Sequence, residues 1–270
     1  MTSVPQTQAG ARSAERAFKT SDSLRRPLHV IAAAWDRLLP KDPEVKRLAA
    51  ITRYGMLPRV SFSDIFSGCE DFEIRVERAF DRTVGVSVDL QELLLLNAIV
   101  QITNAKNILE IGTYDGNTAL NLAANSAPDA LVTTIDLPPE WNGGLEFNVP
   151  RQHVNVTDRR KVACQYRGTP YEIKIRQIFA DSAKLDWAGM TSSFDFVFID
   201  GCHFYSYVKS DTDNAIRCLK PGGILVWHDY GQIADVSRVV DETAKHMSVH
   251  VIKGTRLAIS VVAENAKNAV

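Results

Sequence analysis

The sequence predicts an α/β chain in which a doubly wound, mostly parallel sheet is covered by helices on both faces. Three observations point there. Short apolar runs at 107–111, 131–135, 171–179, 194–199 and 223–227 alternate with helix-length segments, and strands that read as near-continuous apolar runs belong to sheets buried on both faces. The first run leads into a helix through a turn carrying Gly112 and Gly116, the form of a strand-to-helix crossover. The chain then closes with 249–252, the turn Gly254-Thr255, and 256–262, two strands joined tightly enough to be antiparallel. A purely parallel dinucleotide-binding sheet does not end that way.

The elements follow in order. Residues 1–26 are rich in Thr, Ser, Gln, Ala and Arg and have no hydrophobic period, which predicts a disordered tail. Residues 27–88 predict a helical extension or cap. Its helices lie over 28–39, stopped by Pro40, over 43–56, and over 74–80. Pro43 sits early in the second, where a missing N–H costs little. Asp89 is a fair N-cap for an apolar helix over 90–103, and there the main domain, 89–263, begins. Further helices are predicted over 118–125, 183–187, 205–219 and 233–247. In the third of these, Tyr205, Val208, Thr212, Ile216 and Leu219 share a face and read as core packing. Residues 137–170 hold Pro138, Pro139, Gly143, Gly144, Pro150, Gly168 and Pro170. Such a long irregular insertion after the second strand predicts a lid over the crevice, with Trp141, Phe147, Arg151 and His153 as candidates to line an acceptor pocket.

Composition excludes several classes. The chain has 270 residues, 45% hydrophobic and 23% charged, enough to bury a core without metal or disulfide staples. Lys and Arg number 31 against 32 Asp and Glu, so general nucleic-acid binding, which depends on neutralising phosphates, is not expected. No run approaches the ~18 apolar residues of a membrane span, and no secretory signal is evident. Cys69, Cys164, Cys202 and Cys218 match no zinc or C-x-x-C spacing and read as reduced thiols of a cytoplasmic protein.

The chemistry-bearing residues begin at Glu110-Ile111-Gly112-Thr113-Tyr114-Asp115-Gly116. Glycines let the chain turn sharply and let a ligand touch backbone, and the next helix offers free N–H groups to an anion such as a carboxylate. The pattern is G-x-x-x-G, not G-x-G-x-x-G. Glu110 would repel a pyrophosphate and suits a ligand carrying an ammonium group; the alternative is a capping or salt-bridging acid. Asp136 follows Gly116 by 20 residues and ends the next strand, the place for a carboxylate that binds ribose hydroxyls. Asp181 either accepts from an adenine amino group or caps the next helix.

The ordered set Glu110-Ile111-Gly112-x-x-x-Gly116, Ile135-Asp136, Asp181-Ser182, Phe198-Ile199-Asp200-Gly201 and Leu219-Lys220-Pro221-Gly222-Gly223 resembles the class I S-adenosylmethionine-dependent methyltransferases over about 90–262. The resemblance implies a seven-stranded Rossmann-like methyltransferase fold with an antiparallel last strand. It implies S-adenosyl-L-methionine as cofactor, bound by Glu110, Gly112, Tyr114, Gly116, Asp136, Leu137, Asp181, Ser182 and Asp200. Asp200-Gly201-Cys202-His203 before a helix, with His228-Asp229-Tyr230 after the fifth strand, is similar to a bacterial subgroup of small-molecule O-methyltransferases, the family 24-like enzymes that include macrolide sugar O-methyltransferases. That likeness implies a hydroxylated small-molecule acceptor, a sugar or natural product, and no nucleic-acid or membrane partner. It implies His203 as general base with Asp200 beside it, and Asp200 and Asp229 as ligands of a divalent cation, Mg²⁺ or Mn²⁺. The sugar enzymes carry Glu-Asp where this chain has His228-Asp229. Imidazole is a poor Mg²⁺ ligand, so His228 reads as a structural hydrogen-bonding group and the metal is left open. By analogy alone, the leading helices suggest a homodimer. Two other readings stand beside this one. A nicotinamide-dependent oxidoreductase is disfavoured by the missing G-x-G-x-x-G and the closing hairpin. A non-catalytic protein that keeps the cofactor fold is disfavoured by the intact set of acids and glycines.

Overall fold

The computed structural model describes residues 43–66, 73–78, 88–141, 143–149 and 163–262. The predicted tail, the helix over 28–39 and the lid segment 150–162 lie outside the described residues. The chain divides into two units, 1–50 and 51–270. Of the first, the structure describes residues 43–50, which lie in helix α1 (Pro43–Ile51). That helix stops five residues before the predicted end, ahead of Gly55, whose φ of 83° is left-handed.

Among the described residues of the second unit, eight strands make one sheet: β1 (Arg59–Val60), β2 (Asn107–Ile111), β3 (Leu131–Asp136), β4 (Ile175–Phe179), β5 (Phe194–Ile199), β6 (Leu219–Trp227), β7 (His250–Ile252) and β8 (Ala258–Val261). Their spatial order is β1-β7-β8-β6-β5-β2-β3-β4. From β4 to β6 all pairings are parallel. Strand order reverses between β2 and β5, so the crevice at their carboxyl ends is the expected ligand site. The closing hairpin is present, with His250 opposite Ile259. Strand β8 is also inserted between β6 and β7, antiparallel to both. The eighth strand, β1, corrects the expectation of seven: it pairs in parallel with β7. Arg59 fixes it, donating to the carbonyls of Thr255 at 2.7 Å and of Ile51.

Side-chain alternation explains why the sheet is covered twice. Ile108, Phe196, Phe198, Ile224 and Val226 join a core with helices α2 (Phe62–Ile65), α3 (Leu90–Ile102) and α4 (Asn117–Asn125). Leu109, Ile111, Val197, Ile199, Leu225 and Trp227 join a second core with helices α5 (Tyr205–Cys218) and α6 (Ala234–Thr243). Neighbours along one strand thus face opposite layers. Asp89 caps α3, accepting from the Glu92 N–H at 2.9 Å. Thr212 accepts from the Trp227 indole at 2.9 Å, so the predicted core face of α5 is real.

Three further expectations are corrected. Residues 73–78 form no helix; Asn125 and Asn121 of α4 accept from the Arg75 and Glu77 N–H groups at 2.9 and 3.0 Å, so the segment's donors are satisfied from another helix. The helix over 183–187 is replaced by two 3₁₀ turns, Ser182–Lys184 and Ala188–Met190. The strand predicted from 171 starts at Ile175, after another 3₁₀ turn. The described cysteines, Cys164, Cys202 and Cys218, are free thiols. No helix among the described residues is long and apolar enough to cross a membrane.

The inner face of α5 buries Asp211, with the Ser182 hydroxyl its nearest offsetting group. Burial pushes its pKa up to about 7 from 3.8, with the Ser182 hydroxyl offsetting and the Asp181 charge adding. An acid with a raised folded pKa stabilises below its unfolded value, and that contribution is lost as pH rises through the folded one. Wild-type stability is therefore expected to fall by an amount on the order of 4 kcal/mol between about pH 4 and pH 7 from this group. Asp211→Asn should flatten that limb and raise the melting temperature at pH 8; an unchanged slope in a pH series of thermal melts would refute the assignment.

Candidate active site

At the carboxyl edge of β2, Gly112 has φ +104°, a conformation L side chains rarely adopt. A Cβ there would sit 2.2 Å from the Asp200 carbonyl oxygen. The reason is topological: β2 and β5 are parallel neighbours, and the Asp200 N–H donates to the Ile111 carbonyl at 2.8 Å, drawing the end of β5 across the glycine. Gly116, at φ +84°, begins α4 and packs under Tyr166, whose ring would lie 2.7 Å from an added Cβ. Asp136, ending β3, accepts from the N–H groups of Tyr114 and Leu137 at 2.8 and 2.7 Å, so one carboxylate splints the glycine loop and the start of the lid.

One cavity of about 350 Å³ opens at this edge. Gly112, Tyr114, Asp136, Leu137, Asp181, Ser182, Asp200, His203 and Asp229 all wall it. Two of the expected cofactor residues do not. Gly116 acts through the turn it permits, which brings Asn117 and Thr118 to the wall. Glu110 is 1% exposed and stands side by side with Thr134 on β3, whose hydroxyl donates to it at 2.5 Å. Strand alternation turns Glu110 away from Ile111 and Leu109, toward the α3–α4 layer. Burial, with the nearby charges of Asp200, Asp136 and Asp115, holds its pKa well above the carboxylate range despite the Thr134 hydrogen bond. The expected grip of Glu110 on an ammonium group is thus corrected. It lies buried beneath the loop with its pKa raised, and Asp115 and Asp200 are the acids at the wall on this side.

Asp181 proves to be a cap, accepting from the Ala183 N–H at 3.1 Å. Its other oxygen accepts from the Tyr207 hydroxyl and from the Glu146 N–H of the lid, both at 2.9 Å. It therefore ties the lid to α5, and Phe147 packs edge-on against Tyr207 at 5.2 Å between ring centroids. Leu145 and Val149, which the sequence did not single out, supply the lid's share of the wall; Trp141 and Phe147 do not reach it. Arg151 and His153 lie outside the described residues.

The second constellation converges as the strand ends require, and it is larger than expected. His203 Nε2 lies 2.9 Å from Asp229 Oδ2 and 3.9 Å from Asp200 Oδ1. His228 bridges Asp200, at 2.9 Å from Nδ1, and Glu92, at 3.0 Å from Nε2. Arg256 donates to both oxygens of Glu92, at 3.1 and 2.6 Å, and to Asp229 at 3.1 Å. Burial opposes every charge here. Even so, His228 is held well above the usual imidazole range by Asp200, Asp229 and Glu92. Glu92, Asp200 and Asp229 are held below the carboxylate range, with His228 the chief cause in each. His203 is likewise pushed up by its bonds to Asp200 and Asp229. Asp229 has φ +60°, uncommon for a non-glycine residue and a mark of local strain. Glu92 and Arg256 were missed at the sequence level. The available signal was a glutamate inside the apolar stretch Leu90-Gln91-Glu92-Leu93-Leu94-Leu95-Leu96, where a capping-box role accounted for it.

Comparisons with known proteins agree with this geometry. A family model described as a methyltransferase domain matches residues 109–230. The tapetum-specific methyltransferase 1 of Arabidopsis thaliana is 28% identical over 172 residues, a match spanning 62% of this chain and 64% of that protein; the chain thus covers just under two thirds of that relative. A caffeoyl-CoA O-methyltransferase of Populus kitakamiensis is 25% identical over 181 residues, spanning 65% of this chain and 70% of the relative. A solved structure from Corynebacterium glutamicum superposes with a TM-score of 0.50 at 17% identity, covering 69% of this chain and 92% of that one, a likeness of fold.

Proposed function

We propose that the chain is a class I S-adenosylmethionine-dependent methyltransferase, a reading supported by the methyltransferase-domain match over residues 109–230, and that it transfers the methyl group to a hydroxyl oxygen of a small-molecule acceptor, with His203 as general base. The observation that carries the reading is one cavity whose wall holds a ribose-placed acid, Asp136, at one side and the His203–Asp229 pair at the other.

The residues present fit the cofactor. Gly112 leaves open the space a Cβ would take from the close approach of β5. Asp136, held by two backbone N–H groups, stands on the cavity wall at the strand end where a carboxylate meets ribose hydroxyls. When bound, S-adenosylmethionine supplies an electrophilic methyl group on a sulfonium. Asp229 orients the His203 ring through Nε2, which leaves Nδ1 for the acceptor. Its pKa is raised, so His203 must first lose its own proton, which higher pH favours; in that neutral form it takes the acceptor's proton as the oxygen attacks the methyl carbon and the carbon–sulfur bond breaks, giving the methyl ether and S-adenosylhomocysteine. Much of the remaining acceleration comes from holding donor and acceptor together.

Val88, Leu145, Val149 and Ile233 add an apolar surface to the same wall, which suits the ring system of a hydroxylated natural product better than a bare sugar. The named activity of the Populus relative, on a caffeoyl thioester, supports a hydroxyl acceptor of that kind.

Calorimetry tests the cofactor and a labelled-methyl assay tests the acceptor. S-adenosylhomocysteine should bind and NAD should not. Label from S-adenosylmethionine should pass to a panel of hydroxylated aromatic and glycosylated compounds and be recovered as methyl ether. Binding of NAD alone would favour the oxidoreductase, and label recovered only on nitrogen or sulfur would overturn the hydroxyl assignment.

A further inference from the structure

The residues expected to hold a divalent cation do come together. Asp200, His203 and Asp229 each offer one donor atom, all within 4.8 Å of one another. Their donor atoms, though, are already engaged by the chain's own imidazole and guanidinium groups. Asp200 Oδ1 is taken by His228 Nδ1 at 2.9 Å, Asp229 Oδ2 by His203 at 2.9 Å, and Asp229 Oδ1 by Arg256 at 3.1 Å.

The decisive group is Arg256, because it cannot be titrated away: a guanidinium stays charged in any protein environment. It is also immobilised. Glu92, itself buried, grips it through Nε and Nη2 and also accepts from its backbone N–H at 2.7 Å. Its side chain is 12% exposed, so it cannot swing out to make room. A hard cation wants about six oxygen ligands at close to 2 Å. Here it would find two carboxylates and an imidazole, with a fixed guanidinium already bonded to one of those carboxylates. The donor set does not fit such an ion.

We infer that Arg256 occupies the electrostatic place of the divalent cation, so that this enzyme binds none and works without one. Arg256 is a positioning residue: it holds Asp229, which in turn orients His203. The part of the inference about turnover rests on the methyltransferase reading above; the part about cation binding stands independently of it.

The test begins with the full wild-type chain, where no variant can misfold. Titration with Mn²⁺, followed by calorimetry, should show no saturable binding up to about 1 mM, and EDTA should leave methyl transfer unchanged. Arg256→Met should then bind Mn²⁺ at least about tenfold more tightly than wild type, since the repelling charge is gone. A merely structural arginine could not yield that gain of affinity. Should Arg256→Met not fold, Glu92→Gln/Arg256→Met removes both members of the buried pair and carries the same expectation. Arg256→Lys keeps the charge without the planar fork; it should still bind no Mn²⁺, while kcat falls and the KM for S-adenosylmethionine holds. Stoichiometric Mn²⁺ binding by wild type, or loss of turnover in EDTA restored by Mn²⁺, would overturn the inference, as would a folded Arg256→Met with no gain. If S-adenosylhomocysteine fails to bind at all, the functional reading fails, and the Mn²⁺ titration still decides this one.

Discussion

Gly112→Ala is expected to weaken S-adenosylhomocysteine binding by at least about 100-fold, the combined effect of backbone strain of roughly 1–3 kcal/mol and a collision at the ligand's edge. The added methyl would meet the Asp200 carbonyl oxygen at 2.2 Å and its carbon at 2.6 Å. Both are backbone atoms held by the β2–β5 ladder, so neither can step aside as a flexible side chain would. The loop must move instead, and it carries Tyr114, whose N–H is bonded to Asp136. Cofactor contacts from both elements are therefore disturbed together. Circular dichroism should report a folded protein while calorimetry reports the loss. Glu110→Gln makes the paired control: Glu110 is buried off the cavity wall with its pKa raised, so an isosteric amide should leave affinity within about threefold. Undiminished binding in Gly112→Ala would remove the glycine loop from the site, and a large loss in Glu110→Gln would return Glu110 to it.

His203→Ala should lower turnover by about 10²- to 10⁴-fold, the usual contribution of a positioned general base, while affinity for S-adenosylhomocysteine stays within about threefold. The side chain is 47% exposed, so its removal costs little packing, and a loss confined to kcat separates the base role from a structural one. Its partner makes a graded comparison. Asp229→Asn keeps the side chain's shape but takes away the charge that Arg256 and both imidazoles share, so turnover should fall with some loss of stability as well. Single-turnover measurements with saturating cofactor would decide, and a His203→Ala enzyme as fast as wild type would take His203 out of the mechanism.

Much of this was legible from local pattern. Strand β5 was bounded correctly because apolar runs of that length, closed by Asp200-Gly201, have few alternatives. The start of α3 was legible from Asp89 because capping is a contact across only three residues. Asp136 was legible because a carboxylate ending the second strand has a fixed place in such a sheet. What failed was equally local in appearance. The segment 73–78 has nothing against a helix in its own composition; the side chains of Asn121 and Asn125, some 44 and 50 residues away, and of Gln101 claim its backbone.

The sequence by itself determined the layering of this protein and the edge at which its chemistry sits, since period-two alternation, caps and glycine turns depend on neighbours along the chain. Tertiary structure decided which way each acid's pKa is shifted and which acids face the cavity. Glu110 ends up covered, with its pKa raised, because of the strand beside it. Arg256 reaches Glu92, 164 residues away, and Asp229 because β8 enters the sheet next to β6, bringing Ala258 opposite Trp227. Ionisation follows burial and the sum of surrounding charges, and those are properties of the assembled sheet that no window of sequence contains.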